Sequence, residues 1–238
     1  MRLLAIETAT EACSVAVYVD GDVRERHELA PRMHTKRVLP WAEQLLAEAG
    51  IGKSQLDAIA VGRGPGAFTG VRLAIALAQG LALALDRPVL PVSTLAVLAM
   101  QGRREHIVAA IDARMGEVYL GEFQRGPDGL VTAAGPEIIL SPSEAPLPAA
   151  PSHGIGTGFA AADGALVMRF GDRLHAVDAT ALPHAADLAK LAAAAYARGE
   201  AIPPDALEPA YLRDNVALTI AEQQALKAGN EKRGTGNE

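Results

Sequence analysis

At 238 residues the chain exceeds a typical mixed domain of about 100–150 residues and suits two modest ones. Half of its residues are apolar and only 4% aromatic, which excludes wholesale disorder, and the single cysteine, Cys13, excludes a disulfide framework or any cysteine-based metal site. With 28 acidic residues against 22 basic ones the net charge is −6, so broad phosphate-neutralising contact with nucleic acid is excluded and any RNA contact must be local.

The chain opens with three strand-like runs, Leu3–Thr8, Ser14–Val19 and Val23–Leu29, separated by the polar breaks Thr8-Ala9-Thr10-Glu11 and Asp20-Gly21-Asp22. Met1-Arg2-Leu3 leads into an apolar stretch that meets Glu7 at once, without the core of a signal peptide, and a cytoplasmic location is expected. Arg32-Met33-His34-Thr35-Lys36-Arg37 is the densest basic run and reads as the solvated start of a helix, Thr35–Ala49, with Val38, Trp41, Leu45 and Leu46 on one face. Leu56–Gly62 is a short apolar strand. The glycine-rich turn GRGPGAFTG follows, then a helix over Thr69–Leu85, a strand at Val89–Val92 and a Ser93-capped helix to about Met100. These elements define a first unit, residues 1–100.

His106–Phe123 opens a second unit, residues 101–228, in the same manner. An apolar run ends in an acid, Asp112, where the first run ends in Glu7, and GIGTG from Gly154 answers GRGPG from Gly62. The fold class is therefore α/β with a duplicated unit. Ser141–Ser152 is too rich in proline for regular structure. Ala185–Arg198 and Val216–Lys227 read as helices and residues 229–238 as a frayed tail.

Two stretches could carry chemistry. An acid at the end of the first strand, with a small-residue turn after it, can hold a metal ion while backbone amides cradle phosphate, which makes Glu7 and Thr8 candidates. The turn lacks glycine, however, and the alternative is that its threonines merely close it while Glu7 faces solvent or a partner. In GRGPGAFTGVR, Gly64 and Gly66 permit unusual backbone angles, Thr69 can cap the following helix and Arg72 adds charge near its start. The loop is neither a Walker A sequence nor a dinucleotide fingerprint, so a purely structural turn is the competing reading. No two histidines stand four apart as a helical metal pair requires, and there is no G-x-S-x-G elbow. Cys13, alternating with Val15 and Val17, is expected to be buried and inert.

From Leu73 to Leu85 the long helix has only Gln79 and Gly80 outside strictly apolar residues, so it must be covered on all sides. It is short for a bilayer span and begins with Arg72, which favours burial between protein layers over a membrane. Leu73, Leu77, Leu81 and Leu85 form one ridge, and Ala76, Gly80 and Ala84 form a small-residue ridge that another helix can approach closely. Either a partner covers that ridge, assisted by Trp41 and Leu45 of the preceding helix, or the unit covers it internally.

IETATEACSVAVY, VGRGPGAFTGVR, IDARMGEVY and EPAYLRD, in this order, resemble the TsaB (YeaZ) family of bacterial threonylcarbamoyladenosine biosynthesis proteins, within the wider TsaD/Kae/glycoprotease-like group. The resemblance implies a two-lobed actin/hexokinase/Hsp70-like fold, that is, a duplicated ribonuclease-H-like one. It further implies a noncatalytic scaffold for the paralogue TsaD, acting with the ATPase TsaE in threonylcarbamoyl transfer to the adenosine 3′ of the anticodon in tRNAs reading codons that begin with A. ATP and a metal ion are then expected in the partner subunits and no intrinsic cofactor here, with tRNA met through the complex and an exchangeable homodimer when free. Glu7 stands where the family commonly has Asp, which counts against a nucleotide–metal role for the first hairpin. A small-molecule kinase or ATPase of the same fold and a peptidase acting on its paralogue remain the alternatives.

Overall fold

The computed structural model describes residues 1–213. The first sheet contains β1 (Arg2–Glu7), β2 (Ala12–Val19), β3 (Asp22–Leu29), β4 (Ala58–Gly62) and β5 (Val89–Val92), in the order β3-β2-β1-β4-β5. The tight breaks expected from sequence make β1, β2 and β3 antiparallel neighbours, whereas β4 and β5 run parallel to β1 and to each other, as helical crossovers require. Strand residues alternate between two buried faces. Leu4, Ile6, Val15, Ile59 and Val61 pack under α1 (His34–Glu48) and α2 (Phe68–Leu85), while Leu3, Ala5, Ala16, Ala58 and Ala60 point the other way. Burial on both sides explains why β1 and β4 read as continuous apolar runs.

Ser93 caps α3 (Thr94–Ala99), its hydroxyl accepting from the Leu95 and Ala96 amides, and the chain then enters a second sheet. This comprises β6 (His106–Arg114), β7 (Glu117–Arg125), β8 (Val131–Ala133), β9 (Ile138–Leu140), β10 (Ser152–Ile155) and β11 (Leu174–Asp178). Its order, β11-β10-β6-β7-β8 with β9 also on β7, is the first sheet's order with the third strand split in two. The duplication is thus geometric as well as sequential, in the α/β architecture expected. α4 (Ala165–Phe170) covers one face through Leu166 and Phe170.

α5 (Ala185–Ala197) departs from the expected division of the chain. It does not stay with the second unit but returns to the first sheet, where Leu188, Ala189 and Ala192 bury against Leu3, Ala5 and Leu90. Residues 101–213, the described part of the expected second unit, are therefore not one spatial unit. Small side chains allow the close approach, and the apolar residues of that face are removed from water by it. The short β8, β9, β11 and α4 escaped sequence reading because three to six residues are too few to display a period. The expected helix Val216–Lys227 and tail 229–238 lie outside the described residues.

Candidate functional site

The β1–β2 hairpin is closed by its own chain. Glu7 does not face solvent: it is fully buried at the end of β1, its Oε1 accepting from the Ala9 amide at 2.8 Å and its Oε2 from the Thr94 hydroxyl at 3.2 Å. Burial pushes its carboxyl up to about 7, against the lowering effect of those hydrogen bonds. Thr8 is buried too, its hydroxyl donating to the Gly70 carbonyl at 2.8 Å. The glycine-rich loop lies directly on the turn, with the Ala67 amide bonded to the Ala9 carbonyl at 2.7 Å. A Cβ at Gly66 would strike that carbonyl, and one at Gly62 would strike the Glu7 carboxyl. Gly66 is thus needed for close approach, whereas Gly64, at φ +90°, is the position that needs glycine's backbone freedom. A nucleotide or metal finds neither the acid nor Ala9's backbone groups open.

Thr69 does not cap α2. The N-cap is Ala67, without a side-chain hydrogen bond, and Thr69 lies exposed in the first turn. Arg72 is exposed one turn further on. Its guanidinium lies 3.5 Å from the centroid of the Phe68 ring and its Nε donates to the Tyr211 hydroxyl at 2.7 Å.

Tyr211 belongs to a strap, residues 207–213, that runs between the two sheets. Gln79 of α2 donates to the Leu207 carbonyl, the Ala210 amide bonds the Arg63 carbonyl at 2.9 Å, and Tyr211 stacks on Phe68. Arg213 then reaches the second unit, donating to the Ala113 carbonyl at 3.2 Å and pairing with Glu117 in the β6–β7 turn. The strap lines a cavity of about 330 Å³ bounded by Thr10, Phe68, Ile111, Asp112 and Arg114, and Ala210 and Leu212 also line a second cavity beside Ser93 and Glu137. Asp112, the counterpart of Glu7, is committed to its own turn, bonding the Arg114 amide at 2.8 Å and the Arg114 guanidinium at 2.9 Å. Among the described residues, no three His, Cys, Asp or Glu side chains converge as a metal site would need.

α2 is the most unusual surface. By length and composition it could cross a bilayer, yet Val71, Ala74, Ile75, Ala78 and Ala82 pack into the core of the first unit. Its opposite side is open: Ala76, Gly80 and Ala84 are exposed, Leu83 is 68% exposed, and Leu73, Leu77 and Leu81 are half-buried along the edge. The small-residue ridge therefore faces outward. Trp41 and Leu45, expected beside it, are core residues instead; Leu45 is 0% exposed and cannot touch a partner. Phe68, Leu83 and Tyr211 were missed, although the fourfold spacing Phe68, Arg72, Ala76, Gly80, Ala84 marks a single helical stripe.

A second polar cluster joins β2 and β3 to α5. Glu25 accepts from Ser14, from the Ala186 amide and from His184, contacts that outweigh the upward push of burial and hold its carboxyl at about 2. His27 stacks on His184 with ring centroids 3.9 Å apart; burial and the neighbouring His184 keep it neutral to lower pH than usual. Cys13 is buried in the core, and burial and Glu28 push its thiol up to about 12.

Residues 27–221 match the family described as TsaD, tRNA N6-adenosine threonylcarbamoyltransferase. The chain is 42% identical over 230 residues to the tRNA threonylcarbamoyladenosine biosynthesis protein TsaB of Escherichia coli, covering 91% of this chain and 96% of that one. It is 40% identical over 229 residues to the TsaB of Haemophilus influenzae, covering 91% and 95%. A solved structure described as YeaZ from Pseudomonas aeruginosa superposes with a TM-score of 0.82 at 49% identity, over 89% of this chain and 99% of that one. A second Pseudomonas aeruginosa structure, described as an uncharacterized protein with similarity to peptidase YEAZ, gives 0.83 at the same identity and coverage. With sequence and fold in agreement over nine-tenths of its length, the chain belongs to the TsaB (YeaZ) family of tRNA threonylcarbamoyladenosine biosynthesis proteins.

Proposed function

We propose that the chain is a noncatalytic scaffold in threonylcarbamoyladenosine synthesis, supporting the catalytic paralogue TsaD, together with the ATPase TsaE, in transfer to the adenosine 3′ of the anticodon in tRNAs reading codons that begin with A. The observation that carries the reading is the pairing of a closed hairpin with an open apolar helix face: Glu7 is sealed beneath the glycine-rich loop, while α2 presents Ala76, Gly80, Leu83 and Ala84 to solvent. A contiguous apolar stripe on a water-soluble fold is stabilised by a partner. The same stripe serves self-association in the free chain. Two to four Leu-sized side chains contribute at most about 1.5–3 kcal/mol each against association costs of roughly 4–15 kcal/mol, so the homodimer is exchangeable and the paralogue displaces it by adding contacts.

Copurification with the paralogue, and threonylcarbamoylation of tRNA assayed with and without this chain, test the reading. Stable co-elution and strongly reduced modification without the chain are expected. ATP turnover by the isolated chain that is lost in Glu7→Ala would replace the scaffold reading with a kinase or ATPase, and cleavage of the paralogue would replace it with a peptidase.

A further inference from the structure

Three segments converge on the hairpin tip. α1 begins there, the His34 ring bonding the Thr10 and Ala12 carbonyls at 3.1 Å; α2 begins there, through Ala67 and Ala9; and the strap ends there, through Tyr211 and Arg213. The convergence gathers a local basic excess that the chain as a whole lacks. Arg32, Lys36, Arg72 and Arg114 are exposed at this end, with Arg37 and Arg213 behind them, against Glu11, Glu28, Asp112 and Glu117, on a molecule of net charge −6. Among the described residues, Arg32, Lys36 and Arg72 pair with no carboxylate. At the centre, Phe68 and Tyr211 are each 50% exposed, and the Arg72 guanidinium lies on the Phe68 ring. Arg114 and Met115 are held into solvent by left-handed backbone at two successive non-glycine residues, φ +64° and +57°, a conformation that costs energy and persists where the surrounding structure fixes it.

Half-exposed rings interleaved with arginines match single-stranded RNA: unstacked bases lie on aromatic and guanidinium planes, and phosphates meet the surrounding cations. We infer that this end of the chain contacts RNA directly, with Phe68, Arg72 and Tyr211 as a stacking platform and Arg32 and Lys36 as phosphate contacts. The inference rests on the proposed role in tRNA modification for its choice of RNA, and it makes the chain a contributor to substrate binding as well as a support. The basic run at residues 32–37 is then more than a solvated helix start.

The test uses the chain assembled with its catalytic partner and an unmodified tRNA transcript reading a codon that begins with A, with affinity followed over a salt series and contacts mapped by ultraviolet cross-linking. Arg32→Gln with Lys36→Gln removes no described intrachain ion pair, so the fold is retained, and each lost phosphate contact should reduce the salt slope by about 1. Phe68→Leu should weaken binding roughly tenfold and abolish a cross-link at that position. Sedimentation of the Arg32→Gln, Lys36→Gln variant with the partner protein should be unchanged. Wild-type affinity, salt slope and cross-links in all variants would overturn the inference, as would RNA loss fully explained by failed assembly, which would make the patch part of the protein–protein rim. If the wild-type chain does not assemble with the paralogue at all, the scaffold reading fails separately; cross-linking of the isolated chain to the same tRNA at Phe68 or Tyr211 would still support the inference, and its absence would end it.

Discussion

Glu7 is the residue on which burial and chemistry are most at odds. Its carboxyl rises from a usual 4.5 to about 7 because desolvation outweighs its hydrogen bonds from Ala9 and Thr94. An acid whose folded pKa exceeds its unfolded one costs stability as pH climbs from 4.5 through about 7, and the loss is complete above that; a shift of this size corresponds to about 3 kcal/mol as an order of magnitude. Melting temperatures of the wild type should therefore fall between pH 5 and pH 8 relative to Glu7→Gln, which removes the titration and keeps an acceptor for Ala9. Parallel pH profiles for the two proteins would show that Glu7 is not the titrating group. The glycines beside it act for two different reasons. Gly64→Ala places a side chain at φ +90°, and Gly66→Ala drives a Cβ into the Ala9 carbonyl, so each should destabilise by more than the ~0.4–1 kcal/mol that such substitutions gain at permissive sites. Chemical denaturation reads the difference. That these glycines mattered was legible in the sequence, but the reason at Gly66 was not, because Ala9 is 57 residues away and leaves no local mark.

At the scale of elements, α2 shows how far periodicity carries. Its lack of a polar face was plain in the sequence, and so was the small-residue ridge. Which ridge looks outward was not, since both faces are apolar and only the sheet's position distinguishes them. Gly80 provides a clean test because a Cβ there meets nothing within 4 Å inside the chain. Gly80→Ala should stabilise the free protein by about 0.5–1 kcal/mol through helix propensity alone. Gly80→Leu should remain folded yet lose self-association in analytical ultracentrifugation and weaken capture of the paralogue, by propping apart helices that need a small residue at the contact. A folded Gly80→Leu variant that associates at wild-type strength would remove the ridge from the interface. Trp41 and Leu45 share the helical spacing of interface residues, but α1 turns that stripe toward β2, where Val15 and Val17 cover it.

On the scale of the whole molecule, the strap joins the two units. Arg213 bonds Ala113 and Glu117 on one side, and Tyr211 bonds Arg72 on the other. Arg213→Ala should speed amide exchange in the Asp112–Glu117 turn and leave α1 unchanged, at a cost of about 1–3 kcal/mol for lost hydrogen bonds to a charged group. Unaltered exchange at that turn would mean that the strap does not hold the second unit. By itself the sequence determined the duplicated opening of the two units, the two glycine-rich turns, the solitary cysteine and the presence of an apolar helix demanding cover, because each is written in spacings of a few residues. Tertiary structure alone decided that α5 crosses back to the first sheet, that Glu7 is sealed beneath a loop, that the strap ties the two units together and that one face of α2 stays open. Those outcomes depend on pairs such as Ser14 with Ala185 and Arg72 with Tyr211, separated by more than a hundred residues. Local periodicity records that a surface is apolar or charged; what covers it is settled by chain return.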